Sequence, residues 1–420
     1  MKRLLILGGA NQHVKLVKAA KSLGIYTIVA DYLNNSPAKL ICDEPWLIDI
    51  FDTEKLVERC RKEPIDGVIA GFLDPCQIPY FKLCQRLDLP CYGSERQFHN
   101  FTNKKAFKAM CQENNVGFIH DYGVQDVISS NLEYPVYVKP VDSRGSRGQS
   151  ICWSKEQISK AIEEAKKNSS DSDYIIEQYM GDCDEFQVTY FVIDGKPFLE
   201  RTVDSYKGSE KYGLNKVVNC SISPSRLTES YIKSAHPYVM RMIENMGIKN
   251  GPVFMQGFHR KGEFYFFDPG LRFPGVEYEL IVKGITGVDF MSLLVRFALT
   301  GDFGIQDFNE GDVLRLNGKY GAILFPVLRD GRISAINGVE QFLLNPKVVS
   351  YNTRYSIGDV VDWTADVNQR FAEIDIVGDS FNDITNCITT FNEIVNVLDE
   401  KGNNMLFDSV DTSKFKYIYK

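Results

Sequence analysis

The chain has 420 residues, a formal net charge of −7, 44% hydrophobic and 25% charged residues, which is the balance of a globular protein long enough for two or three packed units. Its net acidity removes a general case for nucleic acid or an anionic membrane as partner, and no window approaches the roughly 18–20 apolar residues a membrane helix needs. The ten cysteines are scattered without a CxxC pair, as expected of reduced thiols in a cytoplasmic protein.

The opening MKRLLILGG reads as a buried first strand, its apolar run stopping at Gly8-Gly9. Helical spacing over 14–24, a strand over 25–32, a helix over 53–63 and a strand over 66–72 follow, then a helix through 79–87 and a short strand at 89–93. Alternating strands and helices predict a parallel sheet covered on both faces, an α/β domain over 1–96. Residues 102–115 read as a helix capped by Thr102 or Asn103. The stretch 134–153 reads as two strands joined by a glycine-rich loop, 154–168 as an amphipathic helix and 173–180 as a strand. Two long hairpins, over 185–204 and 252–270, turn at Asp194-Gly195 and Lys261-Gly262 and flank a helical 228–247. Residues 97–330 are therefore α+β with antiparallel sheet, the smaller lobe near 115–185. From 331 to 420, strands over 331–343, 348–361 and 371–379 and a helix near 383–398 make a small α+β C-terminal lobe packed on the rest.

Three segments carry chemistry. Lys139 closes an apolar strand, and Ser143, Arg144, Gly145, Ser146, Arg147 and Gly148 follow within ten residues. Glycines let successive N–H groups converge on phosphate oxygens, serine hydroxyls add donors, and the lysine adds a point charge. The loop joins strand to strand and lacks GK[ST], so it is not a Walker loop. It reads as a hairpin flap over phosphates, the plainer alternative being a solvated hairpin. Gly8-Gly9 lacks GxGxxG spacing, which removes a dinucleotide fingerprint. The pair still ends a strand and opens a helix, a place suited to an anionic substrate group. Gly9 and His13 are thus candidate substrate contacts, although a capping or solvated histidine is the more common case, and Asp31 is open in the same way. In the second hairpin, a three-residue turn would pair His259 with Glu263 and leave Gln256 and Asp268 as diagonal neighbours on one face. Such oxygens suit Mg²⁺ held partly by nucleotide phosphates. Arg272, just past Pro269-Gly270, is placed to meet transferring phosphate or a substrate carboxylate.

In order and spacing these segments resemble the ATP-grasp superfamily, which includes biotin carboxylase, carbamoyl-phosphate synthetase, D-alanine–D-alanine ligase and the L-amino-acid ligases. The resemblance implies a pre-ATP-grasp domain, a two-lobed ATP-grasp domain and a C-terminal lobe. It implies that Lys104 of NKKAFK and Lys139 hold the ATP phosphates beneath the glycine-rich flap, that Glu177 and the backbone from Gln178 to Met180 meet adenine, and that Glu185 meets the ribose. It also implies ATP with Mg²⁺ or Mn²⁺ as cofactors, Arg272 and Lys139 as catalytic groups, and a homodimer, which is common among such proteins. Where the family usually carries a glutamate and then Glu-x-Asn, this chain has Gln256 and Asp268-Pro269-Gly270. One carboxylate is lost and one shortened, with Glu277 and Glu279 nearby in sequence. The implied activity is phosphorylation of a carboxylate by ATP and transfer of the acyl group to an amine. A non-catalytic ATP-binding module and a bicarbonate-activating enzyme are the alternatives.

Overall fold

The computed structural model describes residues 1–129, 132–142, 148–181, 183–209, 217–275, 278–304, 309–364 and 366–417. The first strands, β1 (Arg3–Leu7), β2 (Tyr26–Asp31), β3 (Glu44–Leu47) and β4 (Gly67–Ile69), form a parallel sheet in the order β3-β2-β1-β4. β1 is apolar on both faces because helices cover both. The strand expected at 89–93 does not form. Tyr92 instead gives its N–H to the Tyr80 hydroxyl at 3.2 Å and packs its ring at a tilt against Tyr80 and edge-on to Phe98. In this sheet β3 escaped the sequence reading, a short edge strand carrying Pro45, where a missing N–H costs no ladder bond.

A small antiparallel sheet follows, β5 (Val136–Pro140), β6 (Ser150–Cys152) and β7 (Tyr174–Gln178), in the order β6-β5-β7. The helix Lys155–Lys167 covers one face through Ile158, Ala161 and Ala165. The large sheet is built from β8 (Asp184–Ile193), β9 (Lys196–Lys207), β10 (Val218–Ser223), β11 (Gly251–Arg260), β12 (Glu263–Gly270) and β13 (Tyr320–Leu324). The tail supplies β14 (Val327–Leu328), β15 (Gly331–Asn337), β16 (Val348–Thr353), β17 (Val360–Val361), β18 (Ala372–Gly378), β19 (Asn396–Asp399) and β20 (Leu406–Phe407). Two tail strands extend the large sheet, giving the antiparallel order β12-β11-β8-β9-β10-β13-β18-β16. The rest pair as β14-β20 and β17-β15-β19. The helical 228–247 is two helices, Thr228–Ser234 and His236–Asn245; Pro237 cannot donate back into the preceding turn.

The second hairpin corrects the expected register. Lys261 and Gly262 have φ of 52° and 88°, a two-residue turn whose twist matches the strands. His259 therefore faces Phe264, and a bulge at Gln256/Gly257 brings Gln256 directly opposite Asp268 rather than diagonal to it. One apolar core runs from the N-terminal sheet into the large sheet, through Phe72, Phe98, Phe107, Phe191, Phe273 and Phe290. No helix among the described residues is long and apolar enough to cross a membrane.

Candidate active site

The helix Lys104–Glu113 begins at Asn103, whose Oδ1 accepts the N–H groups of Lys105 and Ala106 at 3.0 and 3.1 Å. Its four-residue spacing puts Lys104 and Lys108 on one buried face. The Lys104 N–H donates to Val141 O at 3.1 Å, which ties the helix start to the chain just past Lys139. Lys108 Nζ donates to Ile119 O at 2.7 Å, pairs with Asp121, and lies 2.5 Å from one oxygen of Glu177. Lys139 Nζ lies 2.5 Å from the other. Burial pushes the Glu177 carboxyl up, but Lys139 and Lys108 outweigh it and hold it below the usual range. Both Glu177 oxygens are thus turned to ammonium groups, and its carboxylate does not stand free toward an adenine. Gln178 and Met180 lie on the crossing from β7 to β8, where the Gln178 N–H bonds His120 O at 3.1 Å. Glu185, near the start of β8, pairs with Lys207 across the sheet at 2.5 Å. Ser143, Arg144, Gly145, Ser146 and Arg147 lie outside the described residues; Gly148 beside them has φ 68°.

On the large sheet, strand alternation sends Glu185, Gln187 and Thr189 to one face. Gln187 pairs with Gln256, which in turn pairs with Asp268. Burial raises the Asp268 carboxyl, with Asp74 adding to the rise and Lys104, Arg272 and Lys139 opposing it. Two lysines from distant segments and one arginine therefore act on a single carboxylate. Arg272 does not reach out unaccompanied. Its Nε and Nη2 donate to Asp74 Oδ1 and Oδ2 at 2.5 and 2.7 Å, and its Nη1 donates to Phe273 O at 2.9 Å.

Other sequence candidates land elsewhere. His13 is fully buried beneath Gly8 and packs edge-on against Phe72. Burial lowers it to about 4, so it is a neutral core ring and not an exposed ligand. The Gly9 N–H donates to Asp31 Oδ2 at 2.9 Å, while Asp31 Oδ1 accepts from the Leu33 N–H at 2.7 Å. Asp31 thus folds its own loop. Glu279 is held at 2.6 Å by the fully buried Arg201, which binds Glu200 with its other arm, also at 2.6 Å. It belongs to a buried ion triad rather than to a second metal position, and Glu277 lies outside the described residues. Among the described residues no group of three or more His, Cys, Asp or Glu could hold a metal. Asp268 with Gln256 fits a hard cation that takes its remaining oxygens from phosphate and water.

The D-ala D-ala ligase C-terminus family matches residues 103–251. Curated relatives include the formate-dependent phosphoribosylglycinamide formyltransferases of two Prochlorococcus marinus strains. That of strain MIT 9515 is 24% identical over 270 residues, 61% of this chain and 67% of the relative. That of strain NATL1A is 24% identical over 333 residues, 74% of this chain and 84% of the relative. Similar solved structures include the L-amino acid ligase of Bacillus licheniformis (TM-score 0.74, 21% identity, 95% of this chain and 99% of that one). A second is the phosphoribosylglycinamide synthetase of Anaerococcus prevotii (0.73, 18%, 95% and 100%). A third is the biotin carboxylase domain dimer of Hydrogenobacter thermophilus 2-oxoglutarate carboxylase, solved with MgADP and bicarbonate (0.75, 17%, 94% and 91%). The chain has the ATP-grasp fold. Sequence reading of this ATP-grasp fold missed Lys108, Asp74 and Arg201. Lys108 could have been found from its helical offset to Lys104, whereas Asp74 carries no local signal because its partner is 198 residues away.

Proposed function

We propose that this enzyme is an ATP-dependent carboxylate–amine ligase working through an acyl phosphate. The observation that carries the reading is that Lys104, Lys139 and Arg272 all act on Asp268, with Lys139 Nζ of the small sheet 5.3 Å from the ring of its neighbour Phe267 on the large one. Lys104 and Lys139 would take the triphosphate, the main chain of Gln178–Met180 the base, and Glu185 the ribose. Asp268 and Gln256 would hold Mg²⁺, which when bound offsets charge on the phosphate oxygens. A carboxylate oxygen attacks the γ-phosphorus, its bond to the ADP oxygen breaks, and an acyl phosphate forms. Phosphoryl transfer asks mainly for position and positive charge, which this set supplies without a nucleophilic side chain. An amine then attacks the acyl carbon, phosphate leaves, and the amine gives up a proton as the amide forms. Glu177 keeps Lys139 on the cleft side of its strand until a phosphate competes for it.

The relatives favour a small carboxylate such as formate beside the amino-acid reading, so both belong in one experiment. ADP release is followed with formate, bicarbonate and L-amino acids, each with and without amines, and hydroxylamine traps any acyl phosphate as a hydroxamate. The expected result is carboxylate-dependent ADP release and hydroxamate, both lowered about 100-fold or more in Lys139→Ala. Tight ATP binding without turnover on any carboxylate would identify a binding module instead.

A further inference from the structure

The N-terminal sheet meets the large sheet at a seam beside Asp268. The Phe273 N–H donates to Gly71 O at 2.9 Å, and the rings of Phe72 and Phe273 lie 5.6 Å apart. Next to them Asp74, opening the short turn Asp74–Cys76, receives Arg272 through both carboxylate oxygens. The fork-to-fork geometry fixes the guanidinium plane, and Phe254 backs it with its ring centroid 4.8 Å from Cζ. The pair is almost closed to solvent, with side-chain exposures of 12% for Arg272 and 7% for Asp74.

Arg272 is thus bound by Asp74 of the N-terminal domain and interacts electrostatically with Asp268 on β12 as well. Only Asp74 has captured it. Asp268 is the other carboxylate that acts on Arg272, so a guanidinium released from Asp74 would be drawn toward it and compete with a cation for its oxygens. We propose that Asp74 is a positioning residue that keeps Arg272 off Asp268, so that the N-terminal domain governs whether the metal–nucleotide site on β12 is open. This rests on the reading of Asp268 as an oxygen ligand and on no particular substrate.

The test uses the full chain and measures ATP affinity calorimetrically with Mg²⁺ and with chelator, for wild type, Asp74→Asn, Asp74→Glu, Arg272→Ala and the double variant Asp74→Asn/Arg272→Ala. In Asp74→Asn the gain in affinity that Mg²⁺ confers should shrink about tenfold or more, the usual size of a lost outer-layer partner. Affinity in chelator should hardly move, while the melting temperature falls because Arg272 loses a buried charged partner. Asp74→Glu keeps the charge and should retain most of the gain, and removing Arg272 from Asp74→Asn should restore it. The restoration matters most, since a merely structural role for Asp74 would not produce it. An undiminished gain in Asp74→Asn, or no recovery in the double variant, overturns the proposal while the Mg²⁺ site stands. Wild-type affinity indifferent to Mg²⁺ overturns the reading of Asp268 and the proposal together. Should Asp74→Asn fail to fold, Arg272→Ala and the double variant carry the test: equal gains support the proposal, and a smaller gain in the double variant overturns it.

Discussion

Glu177 sits with 1% exposure between two ammonium groups, and breaking such a buried pair from one side typically costs about 3–5 kcal/mol. Glu177→Gln keeps the shape and removes the charge, leaving Lys108 and Lys139 to repel each other. The variant should melt well below wild type, and ATP should raise its melting temperature more than it raises that of wild type, because the triphosphate supplies the missing anion. Differential scanning fluorimetry across an ATP series reads this directly; equal ATP shifts in the two proteins would argue that Lys139 does not meet phosphate. The same residues show what a sequence discloses. Lys104, Lys139 and Asp268 were legible because each ends a short segment with its own composition: a capped helix, an apolar strand, a hairpin arm. The pairs that aim them were not. Lys139 meets Glu177 and Arg272 meets Asp74 across chain separations that no local pattern spans.

At the scale of elements, two of the four glycines in the hairpin of β11 and β12 do different work. Gly262 completes the turn at φ 88° with open space around it, so Gly262→Ala should cost about 1 kcal/mol and spare the site. Gly257 lies at the bulge that sets Gln256 against Asp268, and an added Cβ there would lie 2.9 Å from both the Phe266 ring and Tyr265 O. Gly257→Ala should cost about 1–3 kcal/mol and also weaken the effect of Mg²⁺ on ATP affinity. Urea unfolding combined with calorimetry separates the two variants, and equal metal dependence in both would remove the bulge from the argument. The turn was readable from Lys261-Gly262 with strands on either side. The bulge was not, since one glycine inside a strand is its only mark, and the register of the oxygen pair followed from it. Strand β3 was missed for a related reason: four residues with a proline give no period to read.

Over the whole molecule, buried carboxyls set the pH response. Asp375 on β18 is fully buried, and neither of its oxygens has a hydrogen-bond donor among the described residues. Burial raises it from the usual 3.8 to about 7, opposed by Lys15 and reinforced by Glu373 and Glu279. Burial takes Glu200 to about 7 as well, despite Arg201. Between the ordinary carboxylate range and this value the folded protein holds protons that the unfolded chain has shed. Stability should therefore fall as pH rises through that window and level off above it. Asp375→Asn should gain on wild type by on the order of a few kcal/mol at pH 8, and hardly at all at pH 4. Urea melts at several pH values check this, and parallel curves for the two proteins would exclude Asp375 as the source.

The insertion of β18 between β13 and β16 reaches into biosynthesis. While a ribosome is still adding residues ahead of Ala372, Tyr320–Leu324 has no neighbour on its outer side and presents a bare edge of unpaired amides. The nucleotide-binding half thus waits, sticky and unfinished, for a strand encoded far downstream. A message cut short before that point would yield a product drawn to aggregates and chaperones rather than a smaller working enzyme.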